Sequence, residues 1–332
     1  MNKNTIKSYL VNFLAVIIIF ALMKLLMNIG IINRYYQGII VFILINIILA
    51  ASLNLATGFL GQLTLGHAGF MAAGAYVSAS TAIMIKANFG WLPNIAILLI
   101  SLIIAGIISA IVGVAIGIPA LRLRGDYLAI ITLGFGEVIR VIINNIRFTG
   151  GAQGLTGIPR ISTFDNVFWI TVLIVFILYT LTHSRQGRAI VSIREDEVAA
   201  EAVGVKTTRF KVMGFAIAAS FAGIGGGLYA HYIAFLDPNT FNFMRSVEIL
   251  VIVVLGGMGS LTGSIIAAIV LTILPEALRS FADYRLLLYS FLLIIMMIFR
   301  PAGLLGTSEF SWKSIYDRYK YRKESIIKRE KA

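Results

Sequence analysis

Ten continuous apolar runs occupy residues 9–26, 38–55, 63–85, 95–118, 127–146, 168–182, 212–233, 247–258, 264–278 and 286–299. A chain that carries them has few ways to fold. A membrane span takes about 20 mainly apolar residues. Most of the runs approach that length, the eighth and ninth are short, and the third is crowded with glycine. The chain is 59% hydrophobic and 13% charged, against about 45–50% apolar and about 25% charged in soluble domains. One aqueous core cannot bury so much apolar surface, so lipid is the expected solvent. The runs are unbroken rather than alternating at period two, which predicts helices and not a membrane barrel. The expected fold is an all-α polytopic membrane protein of about ten transmembrane helices, with short or glycine-broken spans. Its organisation reads as a short N-terminal segment (1–8), a transmembrane domain (9–299) and a basic tail (300–332). No A-x-A-like site follows the first run, so that run reads as a retained span.

The excess of 28 Lys+Arg over 15 Asp+Glu would suit a nucleic-acid partner if it formed one patch. It does not. With the N-terminus in the cytoplasm and ten alternating spans, 19 of the 28 basic residues fall on the cytoplasmic side. That bias places both termini inside, by the positive-inside rule, and no nucleic-acid partner is expected. The tail from residue 312 onward, SWKSIYDRYKYRKESIIKREKA with its preceding serine, reads either as an anchor for anionic membrane lipid or as a solvated end.

Catalysis finds little support. Cysteine is absent, which excludes disulfides and thiolate metal sites. His67, His183 and His231 sit on or near different spans, and no H-E-x-x-H or G-x-S-x-G motif is present. No lysine follows a glycine anywhere, so no G-K-[ST] phosphate loop exists. No catalytic residue, metal or cofactor is expected in this chain. If it belongs to an ATP-driven system, ATP is bound by partner subunits.

Polar and glycine residues inside the runs are the first functional candidates. The stretch GFLGQLTLGHAGFMAAG places Gly58, Gly61, Gly66, Gly69 and Gly74 around Gln62, Thr64 and His67. Glycine weakens a helix by about 1 kcal/mol relative to alanine. It also lets backbones approach closely, or permits a broken helix whose freed groups line a cavity. Plain helix packing and a pathway-lining role are both open for this stretch, and His67 by itself reads as a packing residue. A second cluster, 256–263, repeats the pattern G-x-x-G-x-L-T of 58–64, a faint sign of duplication. Gly113/Gly117 and Gly223/Gly227 fit small-xxx-small helix packing. Glu137 and Arg140 share one face of the fifth span and can neutralise each other. Ionisable groups in a span are functional candidates by default, and Glu248 is a lesser one.

The longest polar segment, 183–211, holds Glu195, Asp196, Glu197 and Glu201 within seven positions. Ala199, Ala200, Ala202 and Val203 favour a short amphipathic helix that Gly204 can end. Such a helix between two spans reads as a docking element for a partner, or as a solvated loop with a charged face.

Several blocks resemble one family. They are NLATGFLGQLTLGHAGFMAAGAY (54–76), LRGDYLAIITLGFGEVIR (123–140), TGGAQGLTGIP (149–159), the run 187–230 that begins GRAIVSIREDEVAAEAVG, VVLGGMGSLTGSIIA and FRPAGLLG. Together they resemble permease subunits of bacterial ABC importers for branched-chain amino acids, of the LivM-like type. The resemblance implies two ABC ATPase subunits, a second permease subunit and an extracytoplasmic substrate-binding protein delivering leucine, isoleucine or valine, all at the bacterial cytoplasmic membrane. It also implies that 188–204 is the helix that docks in the ATPase, with Arg194, Glu195, Asp196, Glu197, Ala199, Ala200, Glu201 and Gly204 carrying the coupling. The importer pattern there is E-A-A-x-x-x-G; here Val198 replaces the glutamate and the I-x-L-P that often follows is missing. Gly58, Gly61, Gln62, Thr64, Gly66, His67, Glu137 and Arg140 are the pathway-lining candidates. A urea or short-amide permease on the same scaffold is the alternative, and a membrane scaffold or enzyme subunit is a more distant one.

Overall fold

Each of the ten apolar runs lies mostly on a helix in the computed structural model, which describes residues 3–123, 125–281, 284–300 and 302–306. In chain order the α-helices are α1 (Lys3–Asn28), α2 (Arg34–Asn54), α3 (His67–Asn88), α4 (Asn94–Ala120), α5 (Asp126–Asn145), α6 (Phe164–His183), α7 (Arg185–Glu195), α8 (Glu197–Ala202), α9 (Thr207–Ile233), α10 (Phe243–Gly256), α11 (Leu261–Ala277) and α12 (Arg285–Phe299). Among the described residues the extended pairing is a single antiparallel bridge, Leu155 with Leu236. Five helical segments are long and apolar enough to cross a membrane: Arg34–Phe59, His67–Asn88, Asn94–Ala120, Phe164–His183 and Thr207–Ile233. The short expected spans are indeed short. The 14 residues of α10 reach about 21 Å at 1.5 Å per residue, less than a hydrocarbon core of about 30 Å.

Helix α9 packs along α3 and α4 and also meets α2. Small residues let these backbones touch. A Cβ on Gly74 would fall 2.2 Å from Gly223 Cα, and one on Gly113 would fall 2.6 Å from the Ala219 Cβ. The expected small-residue packing of Gly113 and Gly223 is therefore seen, with Gly223 against Ser109 of α4. In lipid such close contact replaces the hydrophobic drive between helices. On α4 the residues Leu98, Leu102 and Ala105 are buried, while Ile103, Ile107 and Ile111 form an exposed stripe at i, i+4 spacing. That stripe faces the side where lipid would lie.

Two expected elements differ from the structure. The third helix begins at His67 rather than residue 63. Before it, α2 widens into a π-turn at Leu55–Phe59, and Gly61 takes a left-handed φ of +73° that ends the helix. The expected single helix over 188–204 is two, α7 and α8. Asp196 separates them, with φ −156° and its side chain turned back to accept from Val198 N and Ala199 N at 2.9 and 3.0 Å. An aspartate that caps a new helix cannot also continue the old one.

The repeated G-x-x-G-x-L-T pattern has a shared local form. Each copy interrupts a helix pair, α2 to α3 and α10 to α11. The second glycine of each copy, Gly61 and Gly259, has positive φ, +73° and +89°.

Candidate functional site

Helices α7 and α8 join the C-terminus of α6 to the N-terminus of α9 and so form one end of the bundle. Ser184 caps α7 by accepting from Gly187 N at 3.1 Å. Ile190 and Ile193 turn inward. Ala200 is the buried residue of α8, whereas Val198 and Val203 are 69% and 80% exposed. Ala199, Glu201, Ala202 and Gly204 are exposed beside them. Gly204 takes φ +87° and ends α8 with open space around it, the usual form of a helix stop.

The acidic residues of this loop are occupied within the chain. Glu195 binds the Arg194 guanidinium, Nη2 to Oε1 at 2.5 Å. Glu197 accepts from Lys211 Nζ at 2.6 Å, and Lys211 is nearly fully buried. Glu201 accepts from the Thr207 hydroxyl at 2.5 Å. Asp196 is the cap of α8. These contacts fasten α8 onto α9 and leave an outward face that is mostly small and apolar.

Behind that face the two glycine breaks meet. Arg194 Nη1 donates to the Gly58 carbonyl at 2.9 Å. A Cβ on Gly61 would fall 2.8 Å from Arg194 Cγ, and one on Gly259 would fall 2.8 Å from Arg194 Nη1. Asn54, fully buried, clasps the second break: its Oδ1 accepts from Gly259 N, and its Nδ2 donates to Ser260 O and Ser264 Oγ, all at 2.8 Å. One arginine of α7 thus touches both glycine hinges.

The other pathway candidates are spread out. His67 is buried and hydrogen-bonds Ser52 Oγ at 2.9 Å. Thr64 is buried, Gln62 is half-buried, and Gly66 lies against the Thr132 carbonyl of α5. Glu137 and Arg140 form the expected ion pair at 2.7 Å. Glu137 also accepts from Phe243 N at 2.9 Å, and Arg140 donates to Asn239 Oδ1 at 3.2 Å. The pair therefore ties α5 to the start of α10. The basic tail from residue 307 onward lies outside the described residues.

A cavity of about 500 Å³ lies at the opposite end of the bundle; of its lining, sequence reasoning singles out Glu248 alone. Asn46 of α2, Arg245 and Glu248 of α10, and Thr272 and Glu276 of α11 line it, with Phe42 and Tyr229 as aromatic walls. Signals were present: a lone asparagine within an apolar run, an Arg–Glu pair at i, i+3 and a Thr–Glu pair at i, i+4. Each is weak until the fold brings the three helices together. No group of metal-binding side chains occurs among the described residues.

Comparison with known proteins agrees with this architecture. The family model "Branched-chain amino acid transport system / permease component" matches residues 35–300. The chain is 38% identical to the high-affinity branched-chain amino acid transport system permease protein LivM of Salmonella typhimurium, over 79% of this chain and 68% of that protein. The same figures hold for LivM of Escherichia coli. Identity to LivH of Escherichia coli is 26%, over 79% of this chain and 91% of the relative. No solved structure matches. A polytopic helical bundle matched by the family model across nearly all its described helices belongs to the branched-chain amino acid transport system permease family.

Proposed function

We propose that this chain is the permease subunit of an ABC importer that moves leucine, isoleucine and valine, with two separate ATPase subunits supplying the energy. The match of the family model to residues 35–300 carries this reading. The relatives named LivM and LivH are both permease proteins of branched-chain amino acid systems, which favours these substrates over urea or short amides. It also suits a second permease subunit beside this one. A substrate-binding protein delivers the amino acid on the far side of the membrane.

The exposed face of α8 is the docking element for an ATPase. Val198, Ala199, Ala202 and Val203 offer small apolar side chains to a groove, and the Glu197–Lys211 and Glu201–Thr207 contacts make α8 move with α9. Both termini are cytoplasmic on this arrangement, because α7 and α8 must reach the ATPase. Labelled leucine uptake into vesicles, with and without the ATPases, tests the proposal. Accumulation that needs ATP, is competed by isoleucine and valine and is indifferent to urea is the expected result. Concentrative uptake of labelled urea without leucine uptake would favour the amide reading.

A further inference from the structure

The cavity opposite α7 and α8 has a charge pattern that packing does not require. Arg245 donates from Nη1 to Glu248 Oε2 and from Nη2 to Asn46 Oδ1, both at 2.8 Å. Asn46 in turn donates to Thr272 Oγ1 at 2.9 Å. Glu276 Oε1 accepts from the Tyr35 hydroxyl and from Arg279 Nη1, the latter at 3.4 Å. One cation, Arg245, and two carboxylates, Glu248 and Glu276, therefore line the cavity, and Arg279 stands outside it against Glu276. A guanidinium has five N–H donors, and the two contacts above leave several of those on Arg245 without a protein partner among the described residues. Glu248 Oε1 and Glu276 Oε2 are likewise unpartnered among them. Ionisable groups on transmembrane helices are costly to keep, and they mark pathways when they face a cavity.

We propose that this cavity is a transient subsite for a zwitterionic amino acid with an apolar side chain. The α-carboxylate takes the spare donors of Arg245, and the ammonium lies between the free oxygens of Glu248 and Glu276. The side chain rests on Ile39, Phe42 and Met244. The inference builds on the proposed function and adds a place where the substrate pauses inside this subunit. A lining that carries both signs suits a zwitterion, whereas a neutral amide would use none of its charges. About 500 Å³ lies within the range of small-molecule sites, about 300–1,000 Å³. The substrate uses only the donors and oxygens that the Arg245–Glu248 pair leaves spare, so its hold is weak, and weak binding is what a site of passage requires. Asn46 lies eight residues before Asn54 on α2, about 12 Å along the axis. The same helix therefore carries the floor of the cavity and the clasp on the 256–263 hinge.

The test uses the complete importer, with partner permease, ATPases and binding protein, in proteoliposomes. Arg245→Gln and Glu248→Gln are expected to lower leucine uptake about tenfold or more at equal amounts of assembled complex, the scale of a lost charge-assisted hydrogen bond. Phe42→Trp shrinks the apolar side and is expected to lower the leucine-to-valine uptake ratio about fivefold, a ratio that general destabilisation does not move. Wild-type rates in both charge variants, or an unchanged ratio in Phe42→Trp, overturn the subsite. If the wild-type importer moves no branched-chain amino acid at all, the proposed function fails and the subsite falls with it.

Discussion

Arg194 hydrogen-bonds the carbonyl of Gly58 across 2.9 Å and 136 residues of sequence. The same guanidinium lies against Gly259, so one side chain of α7 bears on both glycine hinges. Asn54, four residues before Gly58, holds the second hinge to the end of α2 through three hydrogen bonds. On the proposed function, a push on α8 reaches α7 and then the point where α2 and α10 end. Energy transfer needs such a stiff path with few soft links, and the close glycine contacts supply it.

Arg194→Ala is therefore expected to uncouple the importer. It leaves the Gly58 carbonyl without its donor, and a hydrogen bond to a charged group is worth about 1.5–3 kcal/mol. Uptake of leucine should drop about fivefold or more while ATP hydrolysis persists. The check is the number of ATP molecules hydrolysed per leucine imported. Arg194→Lys should recover little, because an ammonium lacks the planar fork that spans Gly58 and Glu195. A stoichiometry equal to wild type would remove Arg194 from the coupling path.

Gly61→Ala should destabilise the protein by about 1–2 kcal/mol from the left-handed backbone alone, since its φ is +73°. The new Cβ also meets Arg194 Cγ at 2.8 Å, which adds to the cost. Gly134→Ala is the matched control: it lies within α5, with nothing inside 4 Å of the added carbon. Alanine there should raise stability by up to about 1 kcal/mol. Thermal melting of the purified protein in detergent should separate the two in opposite directions.

Much of the helical scaffold was legible because lipid imposes one rule on every span. A run such as 95–118 has no alternative to helix once its backbone leaves water. The loop between α6 and α9 was legible too, through its alanines and the glycine at 204. The cavity was not. Asn46, Arg245 and Thr272 are more than 25 residues apart, and no local spacing links them before α2, α10 and α11 pack. The break at Asp196 was missed for another reason. Asp196 is an acceptable helix residue by charge pattern, and its choice to cap is decided by the two amides it meets. The pairing of Glu137 with Arg140 was legible from its spacing, whereas the bond that Glu137 accepts from Phe243 N depends on the fold.

Lys211 and Glu197 give a third expectation. Lys211 has a side chain only 5% exposed, paired at 2.6 Å with a carboxylate that is 24% exposed. Removing one partner of a buried pair costs about 3–5 kcal/mol, and partial exposure of Glu197 brings that to about 2. Glu197→Gln should loosen α8 from α9 and speed proteolysis of the 195–206 segment. Pairing it with Lys211→Met should return much of the protection, because no buried charge is then stranded. Limited proteolysis in membranes reads both.

The exposed face of α8 gives the sharpest separation between folding and function. Val198 and Val203 are 69% and 80% exposed, so replacing them should shift stability by no more than about 0.5 kcal/mol. On the proposed function they enter a groove of the ATPase, where a buried unpaired carboxylate is very costly. Val203→Glu, and Ala199→Glu on the same exposed face, should thus leave the melting temperature within about 2 °C of wild type and abolish co-purification of the ATPase subunits. Gly204→Ala strains a backbone at φ +87° but meets no neighbour, so it should weaken assembly only modestly. Gly204→Pro cannot adopt that φ at all and should abolish uptake while the chain still inserts in the membrane. If both glutamate variants retain the ATPases at wild-type yield, the docking surface lies elsewhere than α8.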